Sequence, residues 1–342
     1  MNPPLFATHW ARELGTNEES LIQLKGGINN RVYRCGEGVE TYVIKGYDSA
    51  EQDGSDRMKA EVEFLTYAMR VAPNFVPRLI CIDSERRCVV LEHLQGSPYQ
   101  EGMMPTASDV KAAVEFFRQL NADRRLAKQH LSSNASEGFL RLREHIANIR
   151  KRQEGMCNDH LPNDIQLEAA SLLRELHRLT YKVANWTENL ISGGAIADTI
   201  NEEERIISPS DFGFHNAIRT PTGVKFFDFE FAGWDDPAKA AADFILQPRV
   251  PTSSGYSPLL DTFIDDVRCS VRSRYEVLGV ILRLKWVAII LMILHPHRIT
   301  KLLNTHQDID FPRIAHLRLK KAARYLSEEK PFGLHRFHVP TP

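Results

Sequence analysis

A chain of 342 residues, 43% hydrophobic and 25% charged, has the composition of an ordinary soluble protein with room for two or three lobes and a substantial core. Its formal net charge of −1 argues against a nucleic-acid partner, because no strongly basic face is implied, and the basic run from Arg318 to Arg324 reads as the solvated face of a helix. The five cysteines, Cys35, Cys81, Cys88, Cys157 and Cys269, never fall in a C-x-x-C spacing, which speaks against a zinc site or disulfide framework and predicts free thiols in a reducing compartment. The opening stretch "MNPPLFATHWAREL" lacks a basic region followed by a long apolar run, so the expected location is cytoplasmic.

The first ninety or so residues read as strands with one helix among them. Leu21 to Lys25 and Arg31 to Cys35 are short β-prone runs joined by the turn "GGINN". "TYVIKGY", Thr41 to Tyr47, alternates like a half-buried strand and carries Lys45 near its end. "SDRMKAEVEFLTYAMRV" then places Met58, Val62, Leu65 and Met69 at helical spacing. Two further strands follow, from Arg78 and from Arg87 to Leu94, before Gly96, Ser97 and Pro98 make a plausible hinge.

Beyond the hinge the texture is helical. Ala107 to Asn121, Gly138 to Arg152 and Ile165 to Trp186 carry apolar residues at three-and-four spacing. A loop-and-hairpin region separates Ile206 from Ala232, with "VKFFDFEF" as the hairpin's second strand, and helices resume at Pro237. The expected organisation is α+β: a small strand-rich lobe, residues 1–94, followed by a larger mainly helical lobe, residues 95–342. One apolar segment, Val277 to Leu294, approaches the length of a membrane span. Arg283 and Lys285 in its middle would be costly in a bilayer, so it is expected to be a buried helix, and no membrane partner is expected.

Several residues stand in an order that suits phosphoryl transfer, a reaction that needs phosphate cover, a lysine held by a carboxylate, a carboxylate for the attacking hydroxyl, and oxygen ligands for a divalent ion. The cover is "KGGINNRVYR", with Gly26, Gly27, Asn29 and Asn30 able to cradle anionic oxygens, although an ordinary hairpin turn is spelled in the same way. The lysine is Lys45; in isolation a strand-terminal lysine is more often at the surface. Its partner is expected to be Glu61 on the following helix. Glu63 is the fallback, since two positions on a helix lie about 200° apart and both cannot face the lysine. The strongest signal is "SDFGFHNA": Asp211 is followed five residues later by Asn216, and twelve residues after that by Asp228 in "FFDFE". A lone D-x-x-x-x-N occurs by chance in many proteins, but the pair, the following hairpin and the second aspartate together repeat the catalytic grammar of kinases.

The order and wording resemble the aminoglycoside phosphotransferase and choline kinase family, small-molecule kinases built like eukaryotic protein kinases. "KGGINNRVYRC" resembles that family's phosphate loop, "ISPSDFGFHNAI" its catalytic loop, and "KFFDFEFAGWDDPAKAAADF" its metal-binding segment; the likeness spans about Leu21 to Pro248. It implies a protein-kinase-like two-lobed fold, ATP or GTP with Mg2+ as cofactors, and a small hydroxyl-bearing acceptor such as a sugar, an aminoglycoside or an amino alcohol. It implies Asp211 as the catalytic base, Asn216 and Asp228 as metal ligands, Lys45 on the nucleotide phosphates braced by Glu61, and the backbone of Glu92, His93 and Leu94 against the adenine. Glu230, two beyond Asp228, would share its strand face and reach the metal through water, provided the segment has not begun to turn.

The family usually writes His-Gly-Asp where this chain has Pro209-Ser210-Asp211, which raises a nucleotide-binding scaffold with weak or no turnover as the alternative reading. The acceptor pocket is expected on the helical lobe. Asp261, Asp265 and Asp266 could favour an amine-bearing acceptor or form one solvated helix face, and Trp234 and Trp286 could stack on a ligand or pack in the core. Nothing in the residues indicates an oligomeric state.

Overall fold

The computed structural model describes residues 3–24, 30–38, 40–48, 56–252, 269–296, 298–300, 310–329 and 332–337. Gly26, Gly27 and Asn29 of the expected phosphate cover, and the acidic trio Asp261, Asp265 and Asp266, lie outside the described residues. The chain divides into two compact units, residues 1–138 with 206–235 and 249–251, and residues 139–205 with 236–248 and 252–342. Ser97 and Pro98, where a hinge was expected, form a short strand within the first unit.

The first unit is built on a five-stranded antiparallel sheet in the order β1-β2-β3-β5-β4, from β1 (Ile22–Gln23), β2 (Asn30–Glu37), β3 (Glu40–Tyr47), β4 (Leu79–Asp83) and β5 (Cys88–Glu92). The helix read from its apolar spacing is α2 (Arg57–Val71), capped by Asp56, whose carboxylate accepts from the Lys59 N–H. It is not the only helix here. Leu5–Glu13 forms α1, which buries Phe6, Ala7 and Ala11 against Tyr33, Cys35, Ile44, Cys88 and Val90. The apolar residues Phe6, Trp10 and Leu14 at i, i+4 and i+8 were the available signal for it.

Further along the unit come α3 (Ala107–Asn121) and α4 (Arg124–His130). Thr106 and Asp109 form a reciprocal capping box at the start of α3. Two small sheets complete the unit: β6 (Ser97–Pro98) beside β8 (Ala217–Thr220) and β9 (Gly223–Phe226), and β7 (Ile206–Ser208) beside β10 (Gly233–Asp235). An aromatic core ties these pieces together. Phe116 of α3 stacks on Phe226 at 5.3 Å, Phe212 lies 4.7 Å from both Phe117 and Phe226, and Phe64 of α2 meets Phe229 at 4.5 Å. Trp234 is also core, with its indole N–H on the Leu131 carbonyl at 3.0 Å. Core packing, rather than stacking on a ligand, thus accounts for it.

The second unit is helical: α5 (Leu142–Gln153), α6 (Asn163–Ser192), α7 (Pro237–Leu246), α8 (Cys269–Ile290) and α9 (Phe311–Ser327). The apolar span read from the sequence lies in α8 and the short turn after it. Val271–Leu294 is long and apolar enough to cross a membrane, but 83% of its apolar window is buried within the protein. The two charges within Val277–Leu294 have protein partners: Arg283 donates to the Tyr325 carbonyl at 2.7 Å, and Lys285 donates to both oxygens of Asp243 at 2.6 and 2.7 Å. Such pairing is what a buried charge requires in a protein core. Trp286 donates to the same Asp243 at 3.0 Å. Among the described residues Cys35, Cys81, Cys88 and Cys157 are free thiols.

Candidate active site

Every described residue of the expected site belongs to the first unit. Lys45 sits in the centre of the sheet, paired in register with Val32 of β2 and Val89 of β5, and is 5% exposed. A lysine there loses most of its hydration and must find anions. It finds three: Glu61 Oε2 at 2.5 Å, Asp228 Oδ1 at 2.5 Å and Glu230 Oε2 at 3.5 Å. Burial works against the Lys45 charge, yet Asp228, Glu61, Tyr47 and Glu230 together hold its pKa well above the ordinary lysine value.

Glu61 reaches Lys45 from α2, and Glu63, on another face of the same helix, accepts instead from the Ser132 N–H and hydroxyl. Tyr47 was not singled out in the sequence. Its hydroxyl donates to Glu61 Oε2 at 2.6 Å, and its ring centre lies 5.3 Å from the Lys45 ammonium. The signal was available, since residues two apart on a strand share a face and Tyr47 follows Lys45 by two.

Asp228 does not end a strand. The strand closes at Phe226, and Asp228 has φ +67°, a left-handed conformation rare for a residue with a side chain. The face-sharing argument for Glu230 therefore lapses. The turn nevertheless carries Glu230 to Lys45, where it also accepts from the Asn30 amide and lies 3.7 Å from the Arg57 guanidinium. Burial raises the Glu230 pKa; Lys45 opposes this and Asp228 adds to it. Arg57 was likewise missed; its guanidinium stands over the Phe231 ring at 5.0 Å.

Asp211 follows β7, which Asn121 holds like a neighbouring strand, donating to the Ile207 carbonyl at 3.0 Å and accepting from its N–H at 2.7 Å. The Asn216 amide group donates to the Asp211 carbonyl at 3.1 Å, which ties the two ends of the loop. The Phe227 N–H donates to the Asn216 carbonyl at 3.0 Å, so Asn216 and the segment entering Asp228 are neighbours across the β8–β9 hairpin. His215 Nε2 lies 3.2 Å from Asp211 Oδ1. At the other end of the sheet, the Glu92 N–H bonds Arg78 and the His93 N–H bonds Thr41. Burial, with Arg34 nearby, pushes the His93 imidazole below its usual pKa.

The residues present suit a hard divalent cation. Oxygens of Glu61, Asp228 and Glu230 all lie within 4.8 Å of one another. Their three negative charges face the Lys45 ammonium and, at Glu230, the Arg57 guanidinium, so the cluster is anionic overall. Asn216 offers a further oxygen donor, because its amide nitrogen is already engaged on Asp211.

Residues 20–246 match the model of the phosphotransferase enzyme family. No curated protein matches the chain. Three of the solved structures that share its fold illustrate the likeness. A choline/ethanolamine kinase family protein from Mesorhizobium loti is 17% identical, with TM-score 0.54 over 92% of this chain and 90% of that one. Choline kinase from Cryptosporidium parvum is 12% identical, with TM-score 0.56 over 96% of each. A spectinomycin phosphotransferase in complex with ADP and spectinomycin is 11% identical, with TM-score 0.53 over 89% and 92%. The fold is thus that of protein-kinase-like small-molecule kinases, as the motif order implied.

Proposed function

Because the chain belongs to the phosphotransferase enzyme family, we propose that it transfers the γ-phosphoryl group of ATP to a hydroxyl of a small molecule, a sugar, an aminoglycoside or an amino alcohol. The observation that carries this reading is the Lys45 ammonium buried between Glu61 and Asp228, with Asp211 and Asn216 on the adjoining loop. The nucleotide-bound phosphotransferase of the same fold supports a nucleotide as donor.

In this reading the loop from Gly26 to Asn30 covers the phosphates and Lys45 neutralises them, its direction set by Glu61 and Tyr47. The adenine meets the segment Glu92 to Leu94. With the N–H groups of Glu92 and His93 already bonded, those two residues offer their carbonyls, and Leu94 supplies any N–H. Asp211 accepts the proton of the acceptor hydroxyl as its oxygen bonds to the γ-phosphorus and ADP departs. Asp228 and Asn216 would hold Mg2+, which would supply positive charge to offset that of the phosphates. The free thiols and the paired charges of α8 favour a cytoplasmic setting.

A nucleotide-binding scaffold is the second reading, and the replacement of His-Gly by Pro209-Ser210 favours it. ADP release from Mg-ATP across a panel of amino alcohols, sugars and aminoglycosides separates the two. Acceptor-dependent ADP release that Asp211→Ala abolishes supports the transferase; nucleotide binding without release under any acceptor supports the scaffold.

A further inference from the structure

The loop before Asp211 has Pro209-Ser210 where its family usually has His-Gly. The backbone is held by short local bonds. Ser210 has φ +64°; its N–H donates to Ser208 Oγ at 3.0 Å and its hydroxyl donates to the Ser136 carbonyl at 2.7 Å. The Asp211 N–H donates to the Pro209 carbonyl at 2.9 Å. These contacts fix where the Cα of Asp211 sits, but not how its carboxylate is rotated.

The carboxylate is met from the other end of the loop. His215 Nε2 lies 3.2 Å from Asp211 Oδ1, with the histidine side chain 4% exposed and the aspartate side chain 38% exposed. The histidine rides on the single turn Phe214–Asn216, and both ends of that turn are anchored. Phe214 packs 5.0 Å from Tyr99 and 6.1 Å from Phe226, and the Asn216 amide group holds the Asp211 carbonyl. Among the described residues, His215 Nδ1 is buried without a hydrogen-bond partner. A proton on Nδ1 would strand a buried N–H and turn a lone pair toward the carboxylate, whereas a proton on Nε2 makes the bond and leaves only a lone pair unpartnered.

We propose that His215 is the positioning residue for Asp211. Its Nε2–H holds Oδ1 from the C-terminal side of the loop and so sets the rotation of the carboxylate that meets the acceptor hydroxyl. This is the base-and-orienter arrangement in which a second group fixes the geometry of the first without touching substrate. It rests on Asp211 being the base of the proposed function, and the test keeps the two apart.

The test uses the full chain with His215→Leu, His215→Gln and Asp211→Asn, and Mg-ATP with water as the acceptor. Glutamine can place a donor where Nε2 stood; leucine cannot. His215→Leu is expected to lower kcat for ADP formation by about 10- to 100-fold with KM for ATP within about 3-fold, and His215→Gln to recover most of that loss. Long-range 15N spectra of histidine-labelled protein, assigned by the signal lost in His215→Gln, should show the proton on Nε2 and a shift of that signal in Asp211→Asn. Wild-type kcat in His215→Leu while Asp211→Asn is impaired overturns the role of His215 alone. Wild-type kcat in Asp211→Asn overturns the proposed base and this inference with it. A loss in His215→Leu that glutamine does not recover overturns positioning by a hydrogen bond. If His215→Leu fails to fold, or water gives too little turnover, the spectrum decides: a proton on Nε2 that responds to Asp211→Asn supports the proposal, and a proton on Nδ1 overturns it.

Discussion

Lys45 Nζ stands 2.5 Å from Asp228 Oδ1, although 183 residues separate them in the chain. The same ammonium is bonded to Glu61, which is 1% exposed, so removing the lysine strands a buried carboxylate. Lys45→Met is expected to cost about 3–5 kcal/mol, and adding Glu61→Leu to recover only part of it, because Glu61 then no longer lacks its partner while Asp228 and Glu230 still do. Urea unfolding midpoints of the three proteins measure this.

Asp228→Asn keeps the size of the side chain and removes its charge. Affinity for ADP in Mg2+ should fall about 10-fold or more, while affinity in excess EDTA should change by less than about 2-fold, and phosphoryl transfer should drop by about 100-fold or more. Calorimetric titration under the two conditions checks it. Equal losses with and without the metal would place Asp228 outside the cation site.

Glu61 and Glu63 separate cleanly by partner. Glu63 bonds Ser132 near the surface, so Glu63→Ala should shift stability by less than about 1 kcal/mol and leave ADP release unchanged. Tyr47→Phe removes the hydroxyl that bonds the buried Glu61 and should cost about 1–3 kcal/mol. Chemical denaturation with parallel turnover assays distinguishes the two.

Gly46 lies under α1, where an added Cβ would stand 2.3 Å from Phe6 Cζ. Gly46→Ala must push the Phe6 ring off the sheet, for about 1–3 kcal/mol, and hydrogen exchange in α1 should rise more than in α3. Unchanged protection in α1 would mean that the ring yields without moving the helix.

Asp109 provides a pH-dependent contribution. Burial raises its pKa, but Arg219, Thr106 and Tyr99 outweigh it, so the folded pKa falls below the ordinary aspartate value. A depressed folded pKa gives stability that is present above the unfolded value and lost as pH falls through the folded one. Asp109→Asn should therefore be less stable than wild type by about 1–2 kcal/mol at pH 7, with the gap narrowing as pH falls below the ordinary aspartate range. Denaturant midpoints across that range test the sign.

Much of this protein was legible before folding was considered. The helix over α2 and the strand carrying Lys45 follow from apolar spacing, and the order Lys45, Glu61, Asp211, Asn216, Asp228 follows from chemistry that needs those groups in separate segments. Other features were not legible. The α1 helix is short, and its face is completed only by the sheet, so its periodicity competed poorly with the prolines before it. Asp228 reads as the continuation of a strand because "FFDFEF" alternates, and only the φ of +67° shows that the strand has ended.

By itself the sequence determined the order along the chain of the candidate groups Lys45, Glu61, Asp211, Asn216 and Asp228, since residue type and spacing are local properties. The tertiary structure decided which groups meet. It turned Glu61 rather than Glu63 toward Lys45, brought Glu230 in by a turn instead of a strand, placed His215 on the Asp211 carboxylate, and paired the charges of α8 inside a core. Those outcomes depend on burial. A charged group removed from water takes the partner that packing places within reach, and packing is fixed by aromatic and sheet contacts among residues far apart in the chain.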